Sequence, residues 1–287
     1  MQISGHTRAF AVLGHPIGHS LSPVMHNAAF QSLGMDAVYL AFDVLPERLS
    51  GALTALGDLG FGGANLTVPL KEMAFKDLSD LDESACRLGP VNTVQFLDDG
   101  RLRGYNTDGD GFIAAVEEAF GAEVAACGIF LLGTGGAGRA VALTCAARGA
   151  GRIALSDIDT ERVEQLAEEI AGNAPAVEVH KVRPEPAAQQ RACREADLVV
   201  HCTPVGMKPD EPSLLPASAF RSGQMLFDLI YMYPETAIMR AAREGGARTA
   251  NGLGMLLHQG ARAFTIWTGK PAAIEAMRSA LQEKVYG

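Results

Sequence analysis

The chain's most constraining feature is a run that passes from wholly apolar to almost wholly glycine within a few positions. Gly128-Ile129-Phe130-Leu131-Leu132 gives way to Gly133-Thr134-Gly135-Gly136-Ala137-Gly138, and a small-residue stretch then continues through Ala147. Such a succession reads as buried strand, tight turn and helix. Gly133, Gly135 and Gly138 keep a G-x-G-x-x-G spacing: the first permits the turn, the second lets a pyrophosphate approach the backbone, and the third lets helix pack on strand. The helix N-terminus would then face a phosphate. Taken alone, the glycines also suit a plain strand-to-helix turn.

Context favours the dinucleotide reading. Arg148-Gly149-Ala150-Gly151 stops the helix, and Arg152-Ile153-Ala154-Leu155-Ser156-Asp157 reads as a second strand ending in an acid. Asp157 stands about 20 residues past Gly138, the spacing at which a carboxylate takes the adenosine ribose hydroxyls of NAD. Asp157 or Asp159 could instead cap the following helix, Thr160 to Ile170, and both roles can coexist.

A chain of 287 residues is long for one small domain, so two domains are expected. The net charge of −9 argues against a nucleic-acid or anionic-membrane partner, which would call for a basic stripe. An anionic substrate must therefore be held by local groups. The five cysteines, Cys86, Cys127, Cys145, Cys193 and Cys202, are scattered without any C-x-x-C and read as buried small apolar residues in a reducing compartment. The apolar run Ala9 to Leu13 stops at Gly14, too short for a signal peptide or membrane span, and a cytoplasmic location is expected.

The N-terminal third alternates. Arg8 to Gly14 is a strand candidate, Ser22-Pro23 opens a helix with Ser22 as cap, Ala37 to Asp43 is a strand, Pro46 to Leu59 a helix, and Phe61 to Asn65 a third strand. This order predicts an α/β fold with a mostly parallel sheet. Two short helical segments follow, around Leu70 to Lys76 and Leu81 to Leu88. Val91 to Phe96 and Arg101 to Tyr105 then flank Asp98-Asp99-Gly100 as a hairpin. A helix from Asn106-Thr107-Asp108 to about Phe120 leads into the second domain. Beyond Asp157, helix Thr160 to Ile170, strand Val177 to Val182, helix Pro186 to Glu195, strand Leu198 to Cys202 and strand Met225 to Asp228 continue the alternation. The proline-rich connection Thr203 to Gly223 is irregular and lies where ligands usually sit. Gly252 to Thr268 and Pro271 to Lys284 are helices, the first expected to return to the N-terminal domain. The domains expected are thus 1–107 with 253–287 for substrate, and 108–252, a Rossmann-type unit, for the dinucleotide.

A dinucleotide site needs a partner site for the hydride. Asn65-Leu66-Thr67-Val68-Pro69-Leu70-Lys71 leaves the third strand carrying Asn, Thr and Lys, and Asn92 and Asp108 sit at later element ends. Lys71 beside Asp108 would be a cationic donor held by a carboxylate, able to grip a hydroxyl and exchange its proton. A solvated surface lysine is the alternative. His15 and His19 are interrupted by Pro16 and Gly18, which forbid a helix placing both on one face, and no metal site is expected.

These motifs together resemble the shikimate dehydrogenase family over essentially the whole chain. The resemblance rests on Ser20-Leu21-Ser22-Pro23, Asn65 to Lys71, Val91-Asn92-Thr93, Asn106-Thr107-Asp108-Gly109, the glycine loop, Thr203-Pro204-Val205-Gly206-Met207, Asp228-Leu229-Ile230-Tyr231, and Gly252 to Leu256 with Gln259. It implies reversible hydride transfer between shikimate and 3-dehydroshikimate, a step towards the aromatic amino acids. It also implies a catalytic pair in Lys71 and Asp108. Ser20 and Ser22 would hold the substrate carboxylate, and Thr67, Asn92, Tyr231 and Gln259 the ring hydroxyls. Gly133, Thr134, Gly135, Gly136, Ala137, Leu229 and Gly252, with Asp157, would embrace the cofactor.

The sequence departs from the family pattern at one place. NADP-dependent members of the family typically carry Asn-Arg-Thr after the second nucleotide-domain strand, whereas Asp157-Ile158-Asp159 stands here. The departure favours NAD, leaves NADP possible, and makes an NAD-dependent quinate/shikimate dehydrogenase the alternative. A non-catalytic dinucleotide sensor is a third reading, opposed by the presence of both Lys71 and Asp108.

Overall fold

The computed structural model describes residues 3–287. In chain order the elements are β1 (Arg8–Gly14), α1 (Ser22–Ser32), β2 (Ala37–Asp43), α2 (Leu49–Asp58), β3 (Gly63–Leu66), α3 (Leu70–Asp77), β4 (Asp80–Leu81), α4 (Glu83–Leu88), β5 (Thr93–Phe96), β6 (Leu102–Tyr105) and α5 (Asp108–Phe120). Then come β7 (Gly128–Leu132), α6 (Gly136–Ala147), β8 (Arg152–Ser156), α7 (Thr160–Asn173), β9 (Glu178–Lys181), α8 (Pro186–Glu195), β10 (Leu198–His201) and β11 (Met225–Asp228). α9 (Ala237–Glu244), β12 (Arg248–Asn251), α10 (Leu253–Thr268) and α11 (Ile274–Tyr286) complete the chain. Two compact units result, residues 1–111 with 257–287 and residues 112–256. The divisions fall inside α5 and α10, a few residues beyond the joints expected at 107 and 252.

The first unit holds a six-stranded sheet in the order β2-β1-β3-β5-β6-β4. Helical crossovers make β1 parallel to both β2 and β3, while the hairpin turns β5 antiparallel to β3 and β6. Phe10 to Leu13 of β1 are buried, as expected for a central strand covered on both faces. One face packs Ala11 and Leu13 against Leu49, Leu53 and Leu70. On the other, Phe10 meets Phe30 and Trp267, and the Trp267 indole N–H donates to the Val94 carbonyl at 3.0 Å. His26 of α1 is wholly buried here, its ring stacked on Tyr39 with centroids 4.3 Å apart. Neither of its nitrogens has a partner, and burial pushes its pKa down to about 3.

The second unit is fully parallel, in the order β12-β11-β10-β7-β8-β9. Counted from β7 this is the doubly wound 3-2-1-4-5-6 arrangement, and its strand order reverses between β7 and β10. The glycine turn leaves β7 at that switch point.

Several local expectations change. Ser22 is the first helical residue of α1 and Leu21 its cap; the Ser22 N–H is instead met by Ser20 Oγ at 3.3 Å. Pro46–Arg48 is a separate 3-10 turn ahead of α2. β4 is a two-residue strand where no strand was expected. α9 and β12 also lie outside the expected elements: α9 has only eight residues, and Arg248-Thr249-Ala250-Asn251 forms an edge strand without apolar alternation. Cys145 and Cys193 are buried, but Cys86 is exposed and Cys127 and Cys202 are intermediate, so not all five cysteines are core residues. Among the described residues no helix is long and apolar enough to cross a membrane, and no group of three or more His, Cys, Asp or Glu is placed to hold a metal ion.

Candidate active site

In the first unit Lys71 stands in the first turn of α3 and Asp108 at the first position of α5, where a carboxylate suits the helix dipole. Lys71 Nζ donates to Asp108 Oδ2 at 2.6 Å, with side chains only 27% and 15% exposed. Asn92, immediately before β5, donates its Nδ2 to Asp108 Oδ1 at 2.8 Å and to Thr107 Oγ1 at 2.9 Å. The Thr107 N–H donates to Asn92 Oδ1 at 2.8 Å. Asn106 Oδ1 accepts the Asp108 N–H at 3.0 Å and fixes the start of α5. A carboxylate engaged on both oxygens thus holds an ammonium that has three donors in all.

Gln259 of α10 reaches the same group, its Oε1 lying 3.4 Å from Asn92 Nδ2. Thr67 leaves β3 with its N–H donated to the Leu13 carbonyl at 2.9 Å, tying the turn before α3 to β1. Ser20 and Ser22 are joined at the start of α1, Ser22 buried and Ser20 half-buried. Tyr231 lies in the second unit, three residues beyond β11, where burial pushes its phenol up and keeps it a hydroxyl donor at neutral pH.

The second unit's polar crevice is built differently. Gly133 has φ +94°, the left-handed region that glycine adopts freely. A Cβ on Gly138 would lie 1.9 Å from the Gly133 carbonyl oxygen, so these two glycines are what lets α6 close on β7. Gly135 caps α6 without a side-chain hydrogen bond, while Gly136 and Ala137 begin the helix. First-turn N–H groups with no side-chain cap fit an anion. Leu229 and Gly252 are brought together, since a Cβ on Gly252 would sit 2.1 Å from the Leu229 carbonyl oxygen.

Asp157 accepts from Thr134 N at 2.6 Å, from Thr134 Oγ1 at 3.1 Å and from Asp159 N at 2.9 Å. Partial burial works to raise its pKa, but the hydrogen bonds from Asp159 and Thr134 and the charge of Arg162 outweigh that and hold it below the usual carboxylate range. The helix cap is Asp159, which accepts from Arg162 N at 3.2 Å, so Asp157 is left to the glycine turn. Arg162 pairs back to Asp159 at 3.0 Å, and Ile158 between the two acids is 91% exposed.

One polar cluster was not foreseen from the sequence, although Thr203 and Asp228 belong to the motifs quoted for the resemblance. His201 Nδ1 lies 2.9 Å from Asp228 Oδ1 and Nε2 lies 2.6 Å from Thr203 Oγ1, while Thr236 Oγ1 donates to Asp228 Oδ2 at 2.5 Å. It ties the ends of β10 and β11 to the start of α9. The signal was an unusual one, charged and polar residues ending apolar strands.

The chain is similar to known proteins over nearly its whole length. Residues 12–94 match the family model described as shikimate dehydrogenase substrate binding domain, and residues 252–282 match the shikimate 5'-dehydrogenase C-terminal domain. Residues 129–210 match the saccharopine dehydrogenase NADP binding domain. The shikimate dehydrogenase (NADP(+)) of Moorella thermoacetica is 46% identical over 285 residues, 99% of this chain and 95% of its own. The structure of shikimate 5-dehydrogenase from Listeria monocytogenes with shikimate and NAD superposes with a TM-score of 0.91 at 36% identity, covering 98% of each chain. Quinate dehydrogenase from Corynebacterium glutamicum with NAD gives a TM-score of 0.87 at 32% identity, covering 96% of this chain and 99% of its own.

Proposed function

Because the chain belongs to the shikimate dehydrogenase family, we propose that it interconverts shikimate and 3-dehydroshikimate with a nicotinamide cofactor. The observation that carries this reading is the Lys71 to Asp108 contact of 2.6 Å, with Asn92 on the second carboxylate oxygen. Lys71 holds the reacting hydroxyl and exchanges its proton; Asp108 keeps the ammonium in place. Ser20 and Ser22 hold the carboxylate of the substrate, and Thr67, Asn92, Tyr231 and Gln259 its ring hydroxyls. When bound, the nicotinamide supplies or accepts the hydride. Gly133, Thr134, Gly135, Gly136 and Ala137 offer backbone to its pyrophosphate, with Leu229 and Gly252 beside it. On this reading residues 1–107 with 253–287 serve the substrate and 108–252 the cofactor. The free cysteines are in keeping with a cytoplasmic location.

The finer reading is that NAD is preferred. The ionised Asp157 suits ribose hydroxyls and opposes a 2′-phosphate, and Ile158 offers no charge to offset it. Arg162, in the first turn of the helix that follows, is paired with Asp159. The same acids favour the second reading, an NAD-dependent enzyme acting on quinate as well. A two-by-two assay at 340 nm, with shikimate or quinate and with NAD or NADP, tests both. Shikimate with NAD is expected to give the highest kcat/KM; higher values with NADP would overturn the cofactor assignment, and higher values with quinate the substrate assignment.

A further inference from the structure

Behind Asn92 runs a chain of buried polar side chains in which backbone partners fix the orientation of both asparagine amides. The Asn65 amide is oriented by a backbone group, since its Nδ2 donates to the Asn92 carbonyl at 3.0 Å. Its Oδ1 must then accept, and Tyr39 donates to it at 2.6 Å. Asn65 Nδ2 also donates to Thr93 Oγ1 at 3.0 Å, and the Thr93 hydroxyl in turn reaches Asn92 Oδ1 at 3.1 Å, with Thr107 Oγ1 beside it at 3.3 Å. Asn92 Oδ1 is pinned independently by the Thr107 N–H. Asn92 therefore has one orientation only, with its NH2 towards the Asp108 carboxylate. The reverse orientation would set a carbonyl against a carboxylate and leave the Thr107 N–H buried without an acceptor.

Tyr39, Asn65, Asn92, Thr93 and Thr107 are all buried, away from bulk solvent. Burial pushes the Tyr39 phenol well up against the opposing hydrogen bond from Ser22, and the hydroxyl remains a donor at any working pH. Through Ser22 the chain also touches the site assigned to the substrate carboxylate.

We infer that Tyr39 and Thr93 are positioning residues for the reaction, acting through Asn65 and Asn92 to hold the Asp108 carboxylate against Lys71. This rests on the assignment of Lys71 and Asp108 above. The role is separable from packing, because Thr93→Val keeps shape and removes the hydroxyl alone, both as donor to Asn92 and as acceptor from Asn65. Thr93→Ser restores the donor. Tyr39→Phe cuts the chain further back and also frees Ser22.

The test measures kcat and KM for shikimate at saturating NAD in Thr93→Val, Thr93→Ser and Tyr39→Phe, each also in an Asp108→Asn background. In otherwise wild-type protein, Thr93→Val should lower kcat roughly tenfold, the rate equivalent of one hydrogen bond, with KM changed by less than about twofold. Thr93→Ser should recover most of the loss. Tyr39→Phe should lower kcat and raise KM as well. With Asp108→Asn there is no carboxylate to hold, and Thr93→Val should cost nothing more. An unchanged kcat in Thr93→Val overturns the inference, as does an equal loss in both backgrounds, which is what simple destabilisation gives. Should Thr93→Val not fold, Tyr39→Phe is judged by the same two-background comparison. The Asn92 side-chain amide protons, followed by NMR hydrogen exchange, need no turnover: they should exchange faster in Thr93→Val. Unchanged exchange overturns the inference, whereas absence of turnover in the wild type bears on the functional reading alone.

Discussion

The two units build their polar sites from different materials. In the first, side chains hold side chains: Lys71, Asp108, Asn92 and Thr107 are linked by hydrogen bonds of 2.6 to 2.9 Å. In the second, the backbone does most of the work, through the left-handed Gly133, the bare helix start at Gly135 and the carbonyl of Leu229 against Gly252. A site of interlocked side chains fixes one geometry and fails when one member is lost. A backbone cradle would accept any pyrophosphate, and on the proposed reading its choice between cofactors falls to the residues at its rim, Asp157 and Ile158.

The sharpest way to break this contrast is to remove a member of the interlocked pair. Lys71→Ala and Asp108→Asn should each lower kcat by about 10²-fold or more, the range of general acid and base groups, and the double variant should be far less than additive. Near-normal steady-state turnover in Lys71→Ala would remove Lys71 from the chemistry. The equivalent damage to the cradle needs a backbone clash. In Gly138→Ala the new Cβ meets the Gly133 carbonyl oxygen at 1.9 Å, so the turn must shift. Cofactor Kd, read by titration, should rise roughly 10- to 100-fold, as expected for a misplacement of about an ångström, while the Lys71 and Asp108 geometry is untouched. Binding as tight as wild type would show that the close approach is dispensable.

A smaller change sharpens the rim. Ile158→Arg should raise the NADP-to-NAD ratio of kcat/KM by on the order of tenfold, because the guanidinium can meet a 2′-phosphate and the exposed Ile158 gives up no packing. A ratio that stays put would move cofactor choice elsewhere in the crevice. The least effect at neutral pH belongs to His26. Its folded pKa of about 3 lies below its ordinary value of 6.5, so between those values the unfolded chain takes up a proton that the folded chain refuses. The contribution to stability is complete above 6.5 and falls as pH drops towards 3. In His26→Phe the Tm should be close to wild type at pH 7.5 and should decline less steeply below pH 6.5, by about one proton's worth of slope. Parallel Tm profiles for the two proteins would refute this.

Both materials left marks in the sequence, of unequal clarity. The glycine turn was legible as spacing, because only glycine tolerates the Gly133 conformation and the Gly138 contact. Lys71, Asn92 and Asp108 were legible as polar residues ending elements, and their meeting needed the sheet order that sets β3 beside β5. Thr93 was legible only as strand, since a β-branched residue is at home there whatever its hydroxyl does. Tyr39 was legible only as a residue of the strand Ala37 to Asp43, since aromatic residues are common in strands. Spacing left the helix cap open between Asp157 and Asp159, and geometry gives it to Asp159. α9 and β12 escaped because a short helix and an edge strand carry too little periodicity to stand out.

Trp267, seated under β5 by its hydrogen bond to Val94, links positions 173 residues apart and is the chain's single tryptophan. During synthesis the inserted unit, residues 112–256, is a continuous stretch that emerges whole, whereas its host waits for the final segment from 257 onwards. The host is thereby finished last, by a contact of high sequence separation whose loop-closure entropy slows it further. Indole emission, coming from this one buried ring, clocks that closure alone, while far-ultraviolet circular dichroism follows both units. Time courses of the two signals after dilution from denaturant separate the folding of guest from that of host without any label.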